Sequence, residues 1–280
     1  MSNILIIAKK DFSDVISNPG LLMVFLCYFS LILIHVLNLN SFAGTLDQDS
    51  LPASVIGSLR GIFLTYGGIV AIITGFSMIS SEKYGGTLNT VITKPLYRDT
   101  IINGKLLAGI SIITMIVILS TVAYVSLIFI ICNENVCNIV INKIDSILVL
   151  CILSILYSIF YLSLSMLISI LIKKRSTAFL ACIIALLLIG HTLSHIGIAG
   201  NLGKYVGSLD RSYESLLLNI IDNIEPNIVI YKIISYNIYN PSYNIFNNLS
   251  SQWYSVLALL LLPFLTTLLC YITFIRRDVV

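Results

Sequence analysis

Two pairs of residues in this 280-residue chain have side chains and a spacing that could bind a metal ion or form a covalent link. The first pair, His191 and His195, is separated by four positions, so in a helix both imidazoles lie on one face, where they could bind a metal. The alternative is a pair of interfacial or cavity-lining histidines that hydrogen-bond to water and carbonyl groups. We favour this alternative and predict no metal site, with His191 and His195 as weak metal candidates.

The second pair, Cys132 and Cys137, brackets a short polar stretch after a long apolar segment. On an oxidising exterior such a pair can form a disulfide, and the two sulfurs could also hold a soft metal ion. Two free thiols are the third possibility. The other four cysteines lie within apolar segments, where cysteine behaves as a small apolar residue. They are Cys27, Cys151, Cys182 and Cys270.

Residue patterns of catalytic sites are absent from the chain. The phosphate-binding pattern G-x-x-x-x-G-K-[ST] does not occur, because Gly104-Lys105 lacks the upstream glycine and is followed by Leu106. The apolar segments contain no acidic residue, which disfavours an ion-coupled carrier. The sequence therefore predicts that the chain is not an enzyme and binds no cofactor itself.

The composition indicates which elements must position these residues. The chain is 58% apolar and only 10% charged, against roughly 25% charged in soluble domains. Six apolar segments approach or exceed the length of about 20 residues that a helix needs to cross a bilayer. They are residues 21–39, 62–79, 106–131, 147–172, 177–198 and 253–275. The sequence predicts an all-α membrane protein with six transmembrane helices, and the small net charge of +3 argues against nucleic-acid binding.

Basic residues are distributed unequally between the two sides of such a bundle. With both termini in the cytoplasm, eleven of the sixteen basic residues fall in cytoplasmic segments. They are Lys9, Lys10, Lys83, Lys94, Arg98, Lys105, Lys173, Lys174, Arg175, Arg276 and Arg277. Because short basic loops stay in the cytoplasm, we predict a multi-pass protein of the cell membrane with both termini cytoplasmic.

Two segments outside the spans have a character of their own within this single transmembrane domain of residues 1–280. Residues 1–18 have one apolar and one polar helical face, which predicts an interfacial helix on the inner leaflet; a frayed terminus is the alternative. Residues 199–252 form a long extracytoplasmic segment that is rich in Tyr and Asn. This segment is either an outer gate or docking surface for an extracytoplasmic protein, or a lid that covers the bundle.

Residues 80–105, between the second and third spans, carry the densest group of patterned residues on the cytoplasmic side. The double glycine at 85–86 predicts a sharp turn, and Thr87 can cap a short helix that must end before Pro95. A second helix then begins near Arg98. A sharp turn followed by two helices separated by a proline is typical of a segment that transmits force to a cytoplasmic partner.

A stripe of small residues lies on the second span. Gly67, Ala71 and Gly75 recur every four positions, a spacing that lets helix backbones approach closely in lipid. We predict close helix packing at this stripe, either within the subunit or at a dimer axis, with ordinary glycine usage in membrane helices as the alternative.

The cytoplasmic segment resembles that of ABC-2 type transporter permeases. The resemblance is carried by Glu82, Gly86-Thr87-Leu88, Pro95, Arg98 and Gly104-Lys105. It extends to residues 8–11, where family members have an "elbow" helix, and to residues 274–278. Tyr97 departs from the pattern, since the family more often has a small residue there. One branch of the family serves the maturation of copper enzymes.

The resemblance implies a permease subunit that forms a homodimer and binds a separate ABC-type ATPase, which holds the ATP and Mg²⁺. It assigns contact with the ATPase to a coupling helix at about 87–94. The residues implicated are Glu82, Gly86, Thr87, Leu88, Pro95, Arg98 and Lys105; anchoring of the loop ends at lipid headgroups is the alternative for the charged ones. The expected function is export or extraction of an unidentified substrate. A membrane scaffold that relays ATPase motion to an extracytoplasmic partner is the second hypothesis.

Overall fold

The computed structural model describes residues 3–43, 51–84, 98–187, 230 and 253–276, and in these ranges the chain is helical, with no strand. We number the helices in chain order. They are α1 Asn3–Ser17, α2 Pro19–Ala43, α3 Leu51–Gly61, α4 Gly67–Tyr84, α5 Arg98–Ile131, α6 Glu134–Asn142, α7 Ile144–Leu171, α8 Arg175–Leu187 and α9 Trp253–Arg276.

Five stretches within the described part of the chain are long and apolar enough to cross a membrane. They are Pro19–Ser41, Leu51–Ser81, Asp99–Ile131, Ile144–Leu171 and Val256–Arg276. They correspond to five of the six predicted spans. The remaining prediction, residues 177–198, overlaps the 13-residue apolar helix α8, and its second half lies outside the described residues. The chain is a multi-pass membrane protein, and the sixth span stays a prediction.

The second and third spans are longer than the sequence predicts. The second begins at Leu51 and the third at Asp99, whereas we placed their starts at residues 62 and 106. We had placed these starts after Arg60 and Lys105, because a charge is costly in lipid. The helices nevertheless continue past both residues, because helical hydrogen bonds do not depend on side-chain charge.

The second span changes its helical geometry midway. A π-helical turn, Ile62–Tyr66, joins α3 to α4, and the amide of Gly67 donates to the carbonyl of Ile62. Just before this turn, the Tyr124 hydroxyl donates to the Val55 carbonyl over 2.7 Å and lies 2.6 Å from the Ser58 hydroxyl. Tyr124 thus braces α3 against α5.

Helix α7 occupies the centre of the described bundle and packs most extensively against α4 and α9. More than half of its membrane-spanning window is buried, against about a fifth for the windows of α2 and α9. Large apolar side chains such as Met23, Leu26 and Phe264 are exposed on these two outer helices. An apolar exterior is the arrangement expected of helices that are surrounded by lipid.

The small-residue stripe of α4 lies against α7 of the same chain. Ala71 is fully buried, and a Cβ atom on Gly67 would lie 3.6 Å from the Ser158 hydroxyl. At Gly75 a Cβ atom would collide with Ser165 Oγ and lie 2.5 Å from the Leu162 carbonyl oxygen. In this structure the stripe therefore contacts α7 of the same chain. Small residues at 158 and 165, one heptad apart, are the matching signal on α7.

Candidate functional site at the loop end of the bundle

Helix α1 contributes one buried acidic residue to the candidate site. Its buried residues are Ala8, Asp11 and Val15, whose spacing of three and four positions places them on one face. The sequence predicts one apolar and one polar face for residues 1–18, and Asp11 lies on the same face as Ala8 and Val15. The buried carboxylate shows that this face is not purely apolar, and a buried charge requires a partner.

The partner of Asp11 is Lys105, on the second turn of α5. Lys105 Nζ lies 3.1 Å from Asp11 Oδ2, and the two side chains are only 1% and 7% exposed. The same ammonium donates a hydrogen bond to the Met78 carbonyl of α4 over 3.2 Å. One buried cation therefore connects α1, α4 and α5.

Gly104 permits the close approach of α1 to α5 that this ion pair needs. A Cβ atom at this position would lie 2.8 Å from Ile7 Cγ2 and 3.3 Å from the Ile4 carbonyl oxygen. Contacts this short would push the two helices apart. The Gly104-Lys105 pair thus has two structural roles, because the glycine admits α1 and the lysine binds its carboxylate.

A second lysine, Lys83, connects the end of α4 to the end of α7. Its ammonium donates to the carbonyls of Ser169 over 2.6 Å, Ile170 over 3.3 Å, and Ile172. The last carbonyls of a helix lack intrahelical partners and carry partial negative charge. Lys83 therefore caps α7 by a contact between residues that are 86 or more positions apart.

Both lysines lie where the spans enter and leave the segment 85–97, which is outside the described residues. We call this end, where α4 stops, α5 starts and α7 stops, the loop end of the bundle. Lys83 is the penultimate residue of α4, and Lys105 follows the start of α5 by seven residues. A movement of the segment 85–97 would therefore be transmitted to α7 through Lys83 and to α1 through Lys105.

The structure describes only some of the residues that the sequence singled out for contact with an ATPase. Glu82 lies in α4 and Arg98 begins α5, but their side chains are not described. Lys105 is described, and its ammonium points into the bundle. Gly86, Thr87, Leu88 and Pro95 lie outside the described residues, as do His191 and His195.

The cysteine pair lies at the opposite end of the bundle. Cys132 and Cys137 are both free thiols in this structure, and Cys137 Sγ donates to the carbonyls of Ile128 over 3.8 Å and Cys132 over 3.9 Å. Burial raises the pKa of the Cys132 thiol, as does the neighbouring Cys137. The disulfide stays a prediction. Within the described residues, no group of three or more His, Cys, Asp or Glu side chains could hold a metal.

Sequence reasoning missed Asp11 as the partner of Lys105 and Lys83 as the cap of α7. The signal for Asp11 was a single acidic residue at i+3 from Ala8 and i−4 from Val15, on a face that is otherwise apolar. No comparable signal existed for Lys83, because its acceptors are backbone carbonyls of a helix that is distant in the sequence.

Comparisons with known proteins agree with the resemblance seen in residues 82–105. The sequence model of the family described as "ABC-2 family transporter protein" matches residues 5–279. A curated relative from Stutzerimonas stutzeri, "Probable ABC transporter permease protein NosY", is 33% identical over 106 residues. That match covers 38% of this chain and 38% of the relative. With a family match over nearly its whole length, the chain belongs to the ABC-2 family of transporter proteins.

Proposed function

We propose that this chain is the permease subunit of an ABC transporter and that a separate ABC-type ATPase docks on residues 85–97, between α4 and α5. The observation that carries the proposal is the pair of lysine contacts beside this segment, which connect its two ends to α7 and α1. A merely tethering loop would have no need of such connections. A loop that receives force would need both.

The ion pair at Lys105 makes α1 and α5 move together in this proposal. Removing one partner of a buried ion pair costs about 3 to 5 kcal/mol, because the other charge is left unpaired. A docked ATPase that displaces the start of α5 would therefore carry α1 with it. Lys105 acts here as a positioning residue and not as a contact with the ATPase.

In this proposal, the contacts with the ATPase come from the other residues of the segment 80–105. Glu82 and Arg98 would form ion pairs with the ATPase, and Gly86-Thr87-Leu88 would turn the chain into a short coupling helix that ends before Pro95. ATP and Mg²⁺ would be held by the ATPase alone, since this chain lacks a phosphate-binding loop.

The topology that we propose has six spans, with residues 177–198 as the fifth, and both termini in the cytoplasm. Helix α1 would be the interfacial elbow, which its exposed Leu5 and Ile6 support, because they present apolar surface on the side away from α5. Two copies of the chain would enclose the path of a substrate that is exported or extracted from the inner leaflet. The proposal does not include the identity of this substrate.

The docking assignment is tested by association with the ABC ATPase that co-purifies with the wild-type chain. We expect E82Q/R98Q to lower co-purification and permease-dependent ATP turnover by about tenfold, since interfacial charge pairs contribute more than about 1.5 kcal/mol when close. E134Q/K143Q removes one acid and one base at the opposite end and should change neither. Undiminished association of E82Q/R98Q would contradict the assignment.

A further inference from the structure

The turn between α7 and α8 presents three consecutive cations. Lys173, Lys174 and Arg175 are all exposed, and the sequence has no acidic residue between Asp145 and Asp210. Their positive charge is therefore not balanced by any acid on α8 or on the second half of α7. We call these three residues the basic turn.

The basic turn forms one side of an open cavity of about 820 Å³. The remaining lining residues are Phe76 of α4, and Ser176 and Phe179 of α8. The two rings are 5.3 Å apart between centroids and meet at 57°, so they form a joint apolar wall. The cavity thus combines a cationic rim with an aromatic wall.

Several contacts hold the basic turn in place. The three carbonyls around the end of α7 are bound by Lys83. On the other side of the turn, the amide of Ala178 and the hydroxyl of Thr177 both donate to the Lys174 carbonyl. The backbone that carries the three cations is therefore anchored to α4 and to the first turn of α8.

We propose that the basic turn binds the phosphate-bearing headgroup of an anionic phospholipid, whose acyl chain lies along Phe179. The cations supply the charge that such a headgroup requires, and basic pockets between membrane helices are suited to it. The apolar surface favours a lipid over a free anion, because Phe179 is 40% exposed and the adjacent Leu180 is 59% exposed. A soluble phosphate would leave this surface without a partner.

The proposal does not depend on the docking of an ATPase. It requires only that the loop end lie at a membrane surface, and the length and apolar character of α7, which suffice to cross a membrane, place its end there. A bound lipid would bridge α8 to α4 through Phe76, and would thereby add to the contact that Lys83 makes on the same side of the bundle.

The test uses the full-length protein, purified and reconstituted in nanodiscs of phosphatidylcholine with a small fraction of fluorescent phosphatidylglycerol. We expect the wild-type chain to enrich phosphatidylglycerol, and K174Q/R175Q to weaken this preference by about tenfold or more, since each cation contributes roughly a factor of five. The matched control K9Q/R276Q removes one Lys and one Arg exposed elsewhere and should keep the preference. K174R/R175K should restore it.

Two further arms separate the lipid from other ligands. Inorganic phosphate at millimolar concentration should not displace the labelled lipid, and F179A should weaken binding of the long-chain lipid but not of a short-chain analogue. Equal preference in K174Q/R175Q and wild type would overturn the proposal, as would full displacement by inorganic phosphate. Loss of ATPase association in K174Q/R175Q with unchanged lipid binding would identify the turn as a protein-docking surface and would also overturn it.

Discussion

The interface between α4 and α7 around Gly75 depends on close packing, whereas the loop end adds charged side chains to the glycine contact at Gly104. At the interface, Gly75 brings α4 so close to α7 that a Cβ atom would collide with Ser165. At the loop end, long charged side chains, Lys83 and Lys105, reach across to neighbouring helices. Helices packed closely at a glycine have only one arrangement. A long lysine side chain, in contrast, can keep its hydrogen bond when the acceptor moves by a small distance.

This difference assigns the two regions different roles. Packed interfaces in proteins have discrete arrangements and resist continuous deformation. The interface of α4 and α7 is therefore expected to move as one body, and the loop end is expected to contain the adjustable contacts.

Replacing Asp11 by Leu should have the largest effect on stability. It removes the carboxylate that pairs with the buried Lys105 ammonium, and removing one partner of a buried ion pair costs about 3 to 5 kcal/mol. D11L/K105M should recover a large part of this loss, because an apolar pair can replace a buried ion pair. The measurement is the free energy of unfolding in detergent micelles, with D14L as the control, since Asp14 is exposed on the same helix. A double variant no more stable than D11L would show that Asp11 and Lys105 are not coupled.

Alanine substitutions at two glycines of one stripe should differ in cost. G75A should lower the free energy of unfolding by about 1 to 3 kcal/mol, because overpacking forces side chains or backbone to shift. G67A should change it by less than about 0.5 kcal/mol, since its nearest neighbour across the interface is 3.6 Å away. Denaturation of the two variants under identical conditions measures the difference. Equal costs would mean that α4 and α7 are not in the close contact described.

Replacing Lys83 by Met should have a smaller effect on stability. Hydrogen bonds to a charged group contribute about 1.5 to 3 kcal/mol when buried, and Lys83 is only half-buried, so we expect a loss of about 1 kcal/mol. The consequence should be local, with faster hydrogen exchange of amides in the last turn of α7 and no change in α2. K9M, which removes an exposed lysine, is the control. Unchanged exchange at the end of α7 would contradict the capping role.

The sequence predicted the five spans that the structure describes but not the contacts of the loop end, for one physical reason. Spans were found because long apolar segments without charges need no knowledge of their neighbours. The same rule placed the start of the third span after Lys105, because it treats every charged side chain as solvated. In the structure this charge is buried against Asp11, 94 positions earlier. Pairing of distant residues cannot be inferred from local composition.

The small-residue stripe was predictable in position but not in partner. Gly67, Ala71 and Gly75 stood out by their spacing, yet the spacing is the same whether the facing helix belongs to this chain or to a second copy. The choice depends on where Ser158 and Ser165 lie, and that follows from the path of the whole chain.

The central claim is that an ATPase docks at the loop end, on the segment that Lys83 and Lys105 connect to the bundle. It is tested most directly by a photo-cross-linking residue placed either at Leu88 or at Asn135, which lies at the opposite end of the bundle. In the assembled complex we expect Leu88 to cross-link to the ATPase and Asn135 not to. Cross-linking from Asn135, or none from Leu88 in a complex that still hydrolyses ATP, would contradict the claim.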